Sequence, residues 1–446
     1  MSAKKITRRL LSVTAVVLII AVLGGCWDKV ELNAISIITG IGVDAIPDNP
    51  DLMNVTIQSA NVKALSGPAS GGGGGDGEAP FIINEEQSKS ISEAITQIGR
   101  RTSRSPFTHH NQIIVVGKDY CKNGIQSVVD TFLREDEMRV ETSIVVADGT
   151  AREMLSVKTE IEKSASQWIP GMLASLNYNV GKVDVSVLDF ANQILKPSGA
   201  AVIPLIKVED TSLQKPMLKE KNAQQQEKKD EGEEKSGEEE KDEKKEAEEE
   251  KSEKKNGGEI ETKTLSFVGF AVFKGPYFVG EMGVAEMKGY RWLNGDVTST
   301  RVSLSVGSGT ANVNVTNAKF KKKVRLDESG KLIADFSIIA DAAVLESIGI
   351  DDTDIKRYTK VLTEVMSEQI KKEIEDCLEK AKELNADVFG FLNTLYEKHP
   401  KDYKRIEEKR DEVFKNMTLN TDIKITIQDT GKLKKSILEK WWNDEH

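Results

Sequence analysis

Hydrophobic and polar positions along the chain form two kinds of pattern, and the two alternate. Ala34–Val43 and Met53–Asn61 are apolar runs of strand length. Glu85–Arg101 has a helical period instead, with Ile91, Ala94, Ile95 and Ile98 on one stripe. Asn111–Val116 then reads as a strand, Asn123–Leu133 as a helix, Glu141–Ala147 as a strand and Thr150–Val157 as a helix. Pro170, Gly171 and the stretch to Gly181 interrupt the alternation, and Val187–Ile194 reads as a short helix. Strands that alternate with helices predict a sheet with helices packed on it.

A second patterned region follows. Leu265–Phe273 is apolar on both faces, as in a buried strand, and Pro276–Val279 continues it. Val284–Trp292 reads as a helical turn or two. Ala311–Val315, Lys321–Leu326 and Leu332–Ala340 alternate with period two. A long helix is expected over Asp352–Asn385, with Tyr358, Val361, Leu362, Val365, Ile370, Ile374, Cys377, Leu378 and Ala381 on its apolar face. Helices over Ala386–Lys398 and Asp402–Phe414 lead to a last strand, Leu419–Ile427. The fold class is therefore α+β (mixed α/β), with sheets, packed helices and several domains.

Two stretches carry neither pattern. Ser66–Pro80 is centred on Gly71–Gly75 and reads as a surface loop, because the glycines lead to Asp76 and Glu78, which repel phosphate. From Lys219 to Lys255, 27 of 37 residues are charged, 16 of them acidic. Such a composition buries too little apolar surface to offset the entropy of ordering. It reads as a solvated linker; an interaction tail, or a helical rod with Glu and Lys at i,i+4 spacing, are the other readings. These breaks divide the chain into a leader (1–25), an N-terminal α/β domain (26–210), a charged linker (211–260), a β-rich middle domain (261–316) and a C-terminal α/β domain with the long helix (317–446).

The leader has its own logic. Lys4, Lys5, Arg8 and Arg9 precede Leu10–Leu23, a charge-free run of 14 residues. That run is short for a membrane span and right for a secretory signal. It ends Leu23-Gly24-Gly25-Cys26. An aliphatic residue, two small residues and a cysteine resemble a bacterial lipobox. The small residues admit the peptidase, and the Cys26 thiol takes a diacylglyceryl group before cleavage. The mature chain would then begin at Cys26, held at the membrane by acyl chains. Of the remaining cysteines, Cys121 and Cys377 are candidates for pairing in an oxidising compartment, although Cys377 also fits a free thiol on the helix's apolar face.

Composition removes several function classes. The net charge of −10 argues against a nucleic-acid partner. Three cysteines and four histidines do not build a disulfide scaffold or a Cys-rich zinc module. His109-His110, read as the entrance to a strand, point to opposite faces and do not chelate one metal. Thr39-Gly40-Ile41-Gly42 follows a strand but lacks the third glycine and the helix of a dinucleotide site. Asp387-Val388-Phe389-Gly390 lies in a helical stretch without the other kinase motifs. Lys321, Lys323 and Arg325 form a basic strand face, suited either to anionic lipid or simply to solvent. Trp441-Trp442 suits either a membrane interface or packing onto the domain. The expectation is a non-enzyme with no catalytic residue, cofactor or metal site.

A family resemblance emerges from blocks in order along the chain. Cys26-Trp27-Asp28-Lys29-Val30-Glu31-Leu32-Asn33 resembles the mature N-terminus of the Ger(x)C family, the C subunits of spore germinant receptors. Thr39–Asp44, Thr108–Gly117, Arg134–Arg139, Gly269–Lys274, Gly289–Gly295, Ala386–Phe391 and Lys398-His399-Pro400 resemble its later blocks. The glycine loop and charged insert depart from the family pattern, between matched blocks. The resemblance implies a mixed α/β fold in about three domains and no enzymatic activity. It implies a lipid anchor on the outer face of the spore inner membrane and two polytopic partners, the receptor A and B subunits. Ligand-sensing residues usually lie in those partners, so only the lipidated Cys26 carries over as a site residue. The other reading is a stand-alone solute-binding lipoprotein. Such a protein has two similar lobes about a hinged cleft, whereas the halves flanking this linker differ in element order.

Overall fold

The computed structural model describes residues 11, 13–15, 34–61, 79–158, 162–180, 182–210, 263–297, 299–350 and 355–429. Cys26 and the lipobox, the glycine run, the charged insert and Trp441-Trp442 lie outside them. Among the described residues no helix is long and apolar enough to cross a membrane.

Two sheets organise the α+β fold. The larger contains β1 (Ile35–Ala45), β2 (Met53–Ala60), β3 (Phe81–Ser88), β4 (Ser105–Phe107), β5 (Ile113–Gly117), β6 (Ser143–Ala147), β7 (Ala200–Asp210), β8 (Lys263–Lys274) and β9 (Tyr277–Gly283). Its order is β3-β2-β1-β5-β6-β7-β8-β9, with β4 beside β1. The central pairs β1–β5, β5–β6 and β6–β7 are parallel, and both flanks are antiparallel. β5 is buried along its whole length, as a strand covered on both faces must be.

Alternation on β5 and β6 feeds two cores. Ile113, Val115 and Val145 face α4 (Ala151–Leu155) and α5 (Ala165–Val180). Ile114, Val116, Ile144 and Val146 join the opposite cluster. There they meet α1 (Ile91–Arg101), α2 (Lys118–Lys122), α3 (Gln126–Arg134) and α6 (Val187–Ile194). The expected helix over Glu85–Arg101 starts later, because Glu85–Ser88 pair with β2 and the Ser90 hydroxyl caps Glu93 N–H. α5 runs straight through Pro170, where an interruption was expected. Ile169 and Leu173 anchor it in the core on either side of the proline.

The smaller sheet has the order β10-β11-β12-β13, with β10 (Thr300–Val306), β11 (Gly309–Leu326), β12 (Leu332–Ile348) and β13 (Thr418–Asp429). The two alternating runs expected within 311–326 are one continuous strand. α7 (Val284–Asn294) leads into this sheet, and α8 (Ile355–Glu383) packs along it. α8 buries Tyr358, Leu362, Met366, Ile370, Ile374 and Leu378 at four-residue spacing, with Cys377 and Ala381 beside them. Val361 and Val365 sit half-buried at the edge of this stripe. α9 (Phe391–Lys398), α10 (Pro400–Ile406) and α11 (Arg410–Lys415) precede β13. The helix expected over Ala386–Lys398 thus starts five residues late, and Ala386–Gly390 form a loop.

The linker does not separate independent layers. β7 and β8 flank it and pair along their lengths, from Ala200↔Lys274 to Asp210↔Lys263. β8 and β9 therefore complete the first sheet, and the expected 316/317 boundary falls inside β11. One apolar cluster runs from Ile113 and Val145 through Phe270, Met282 and Trp292 to Ile374 and Phe414. Such long-range pairing leaves no trace in local periodicity, which is why the sequence places breaks where the sheet has none.

Candidate functional site

Three of the family-like blocks, Gly269–Lys274, Gly289–Gly295 and Ala386–Phe391, come together beside β7 and β8 of the larger sheet. A cleft of about 460 Å³ opens there. α6 forms one wall, and the C-terminal end of α7 with the Asp387 loop forms the other. Phe270, Tyr290 and Phe389 lie in a row beneath it, with ring centroids 5.1 and 6.1 Å apart.

Each wall is fixed by local chemistry. Ser186 and Asp189 form a reciprocal capping box at the start of α6. α7 ends at Gly295, whose φ of 73° suits a left-handed helix cap. Gly390 (φ 67°) opens α9 but has no side chain to cap it. The buried Asp387 carboxylate does so instead, accepting from Phe391 N (3.1 Å) and Leu392 N (2.7 Å). Burial pushes this carboxyl above the usual range, against the pull of those backbone donors and of nearby Lys322. Lys322 donates to the Phe389 carbonyl (2.7 Å) and lies 5.3 Å from the Phe391 ring centre. Burial holds its ammonium below the usual lysine range.

One hydrogen bond ties the walls together, from Ser198 N to Asn393 Oδ1 at 2.8 Å. Asp189, Asn192, Gln193, Lys196 and Asp296 also line the space. Burial pushes the Asp296 carboxyl upward, and it pushes the Tyr290 phenol upward too. The cleft is therefore polar, with donors and acceptors of both signs on facing walls. Among the described residues no group of three or more His, Cys, Asp or Glu side chains could hold a metal ion.

The other singled-out residues occupy structural joints. Gly40 and Gly42 let α4 approach β1, where an added Cβ would meet Leu155 at 3.0 Å. Asp44, next in that block, accepts from Ala151 N (2.7 Å) and Arg152 N (3.0 Å) at the start of α4. The block that resembled a dinucleotide fingerprint is thus a strand–helix seam. His109 and His110 lie exposed in a turn, not on a strand, and both rings rest on Phe107, at 4.9 and 5.5 Å. Thr108 Oγ1 donates to the Glu137 carbonyl (3.3 Å), which joins two of the family-like blocks. Lys321, Lys323 and Arg325 line the exposed face of β11, where Arg325 pairs with Asp335 across the strands. Cys121 and Cys377 are both free, buried thiols in separate clusters. Sequence reasoning missed the cleft because its walls come from segments around 190, 290 and 390.

The cleft and the joints around it define a class: an α+β protein in which matched sequence blocks act as seams. A family model described as the spore germination protein N-terminal domain matches residues 28–208. A second, described as spore germination B3/GerAC like, C-terminal, matches residues 268–431. Spore germination protein KC of Bacillus subtilis (strain 168) is 23% identical over 448 residues, covering 98% of this chain and all of that protein. YfkR of the same organism is 22% identical over 424 residues, covering 94% and 96% of the two chains. The crystal structure of the GerBC protein has a similar fold, with a TM-score of 0.50 at 13% identity, covering 87% of this chain and 97% of that one. The chain belongs to the GerAC-type, or Ger(x)C, family of spore germination proteins.

Proposed function

We propose that this chain is the non-catalytic, lipid-anchored subunit of a spore nutrient germinant receptor. The diacylglyceryl-modified Cys26 holds it on the outer face of the spore inner membrane, beside two polytopic subunits of the A and B types. Anchoring confines all three to one surface, and the raised effective concentration favours their assembly. The observation that carries this reading is the match of both family models in order along the chain, over residues 28–208 and 268–431. The lipobox at Leu23–Cys26 supports the anchor. The polar cleft favours a second reading, a stand-alone solute-binding lipoprotein.

The test is an affinity pull-down of the tagged chain from detergent-solubilised spore membranes, read by mass spectrometry. Two polytopic partners in stable proportion are expected. Recovery of the chain alone, under conditions that preserve other membrane complexes, sinks the receptor reading and favours solute capture. In a parallel strain, Cys26→Ala should give a folded, unanchored protein and slow germination. Retained lipid labelling in that strain would refute the anchor.

A further inference from the structure

The face of α7 turned away from the polar cleft borders a second, smaller cavity of about 120 Å³. Arg291 lines it and is only 8% exposed. Its Nη1 donates to Thr300 Oγ1 at 3.2 Å, and Thr300 lines the same cavity. Its Nε and Nη2 are buried with no hydrogen-bond partner among the described residues. A buried guanidinium with unmet donors is costly, because those N–H groups have left water without gaining an acceptor, and Glu373 and Asp296 act on it only through space. Desolvation pulls Arg291 down to about 10, so it is still charged at neutral pH.

The surroundings supply more positive charge than negative. Lys288 and Arg301 stand exposed at the rim. Glu373 is the one carboxylate in the lining, and both of its oxygens are engaged. Oε2 accepts from Trp292 Nε1 (3.1 Å) and Oε1 from Gln369 Nε2 (3.0 Å). Asp296 also acts on Arg291 at a distance, but its side chain lines the other cleft. The lining carries three cations against one carboxylate and is net positive, and neither Glu373 oxygen bonds the unmet Arg291 donors. A volume of this size takes one small oxyanion with little water, since liquid water occupies roughly 30 Å³ per molecule.

We infer that this cavity is a binding site for a small oxyanion, with Arg291 as its buried anchor, Thr300 beside it and Lys288 and Arg301 as a capturing rim. The planar guanidinium offers parallel donors that match phosphate or carboxylate oxygens. The rim cations raise the local anion concentration. An occupant would tie α7 to β10 through Arg291 and Thr300, on the side opposite the polar cleft. The inference goes beyond the receptor reading and does not depend on it.

The test uses the full mature chain in detergent, with inorganic phosphate as the probe, at ionic strength held constant with sodium chloride. Phosphorus NMR line broadening reads binding, with acetate added in a second arm. Saturable phosphate binding is expected. Lys288→Ala/Arg301→Ala should weaken it at least about tenfold, the effect of losing charge-assisted hydrogen bonds. Both rim residues are exposed, so this variant keeps its fold; Arg291→Lys probes the anchor wherever it also folds. Displacement of phosphate by equimolar acetate assigns the site to carboxylates, and resistance to acetate assigns it to tetrahedral anions; either supports the site. Absence of saturable binding of both anions overturns the inference. So does phosphate binding that is equal in the native chain and the rim variant.

Discussion

Replacing Gly289 by alanine sets two physical effects against each other. Gly289 lies inside α7, where local propensity alone favours alanine by about 1 kcal/mol. It also lies where α7 crosses α8. A Cβ built there sits 2.5 Å from Cys377 Cβ and closer still to the Glu373 carbonyl oxygen. Carbon atoms pack best at about 3.5–4.0 Å, so the helices must part by roughly 1 Å or more. A gap of that size forfeits up to about half of each dispersion contact along the crossing. Met287, Leu293, Ile370 and Ile374 are buried in this region, and the Trp292–Glu373 hydrogen bond spans it. Overpacking of this kind costs about 3 kcal/mol. Subtracting the propensity gain leaves a loss of roughly 2 kcal/mol, or about 3 °C in Tm for a body of this size. Gly171 is the internal control, because it also lies in a helix but an added Cβ meets nothing within 4 Å. Gly171→Ala should raise stability by up to about 1 kcal/mol. Thermal unfolding followed by circular dichroism reads both variants. A Gly289→Ala protein as stable as the native chain, or more so, would refute the packing argument.

Three further outcomes follow from the buried polar groups. Asp44→Asn removes one of the two acceptors that hold Ala151 N and Arg152 N, and urea unfolding should show a loss of about 1.5–3 kcal/mol; an unchanged midpoint contradicts the assigned role. Cys121 and Cys377 are buried and their thiols are pushed upward by desolvation. Iodoacetamide at pH 8 should therefore label neither in the folded protein and both in urea, and rapid native labelling counts against their burial. Asp296 has a folded-state pKa raised above 3.8 by burial, so the folded state holds its proton more tightly than the unfolded chain does. Its contribution to stability then falls as pH climbs from 3.8 through the folded value, and Asp296→Asn should flatten the decline in that window; an unchanged slope rejects the assignment.

Local pattern was a good guide wherever one face decided the element. The stripe of α8 and the short α6 were legible because burial there follows the helical period. Pro170 misled, since the packing of Ile169 and Leu173 outweighs the local signal of a breaker. The loop at Ala386–Gly390 was hidden because its apolar residues resemble a helix, while Asp387 turns out to cap the next one. β10 was not anticipated, although Val302, Leu304 and Val306 alternate with polar residues and Gly307-Ser308-Gly309 follows as a turn signal. The meeting of residues near 190, 290 and 390 depends on β7–β8 pairing and on the α7–α8 crossing, neither of which periodicity encodes. The family-like blocks were visible as text, but their roles as seams were not.

The pairing of Asp210 with Lys263 has an evolutionary consequence. Adjacent strands lie about 5 Å apart, so the ends of the intervening segment are fixed side by side whatever its length. The entropy of closing such a segment grows only logarithmically, by about 0.6 kcal/mol for each doubling. Selection on the fold therefore places little constraint on how many residues accumulate between β7 and β8. The 52 residues found there are free to drift in length and composition, while the sheet on either side is held by its own packing. The same geometry makes this hairpin the natural place to insert a fluorescent reporter or an affinity tag, leaving both termini of the chain untouched.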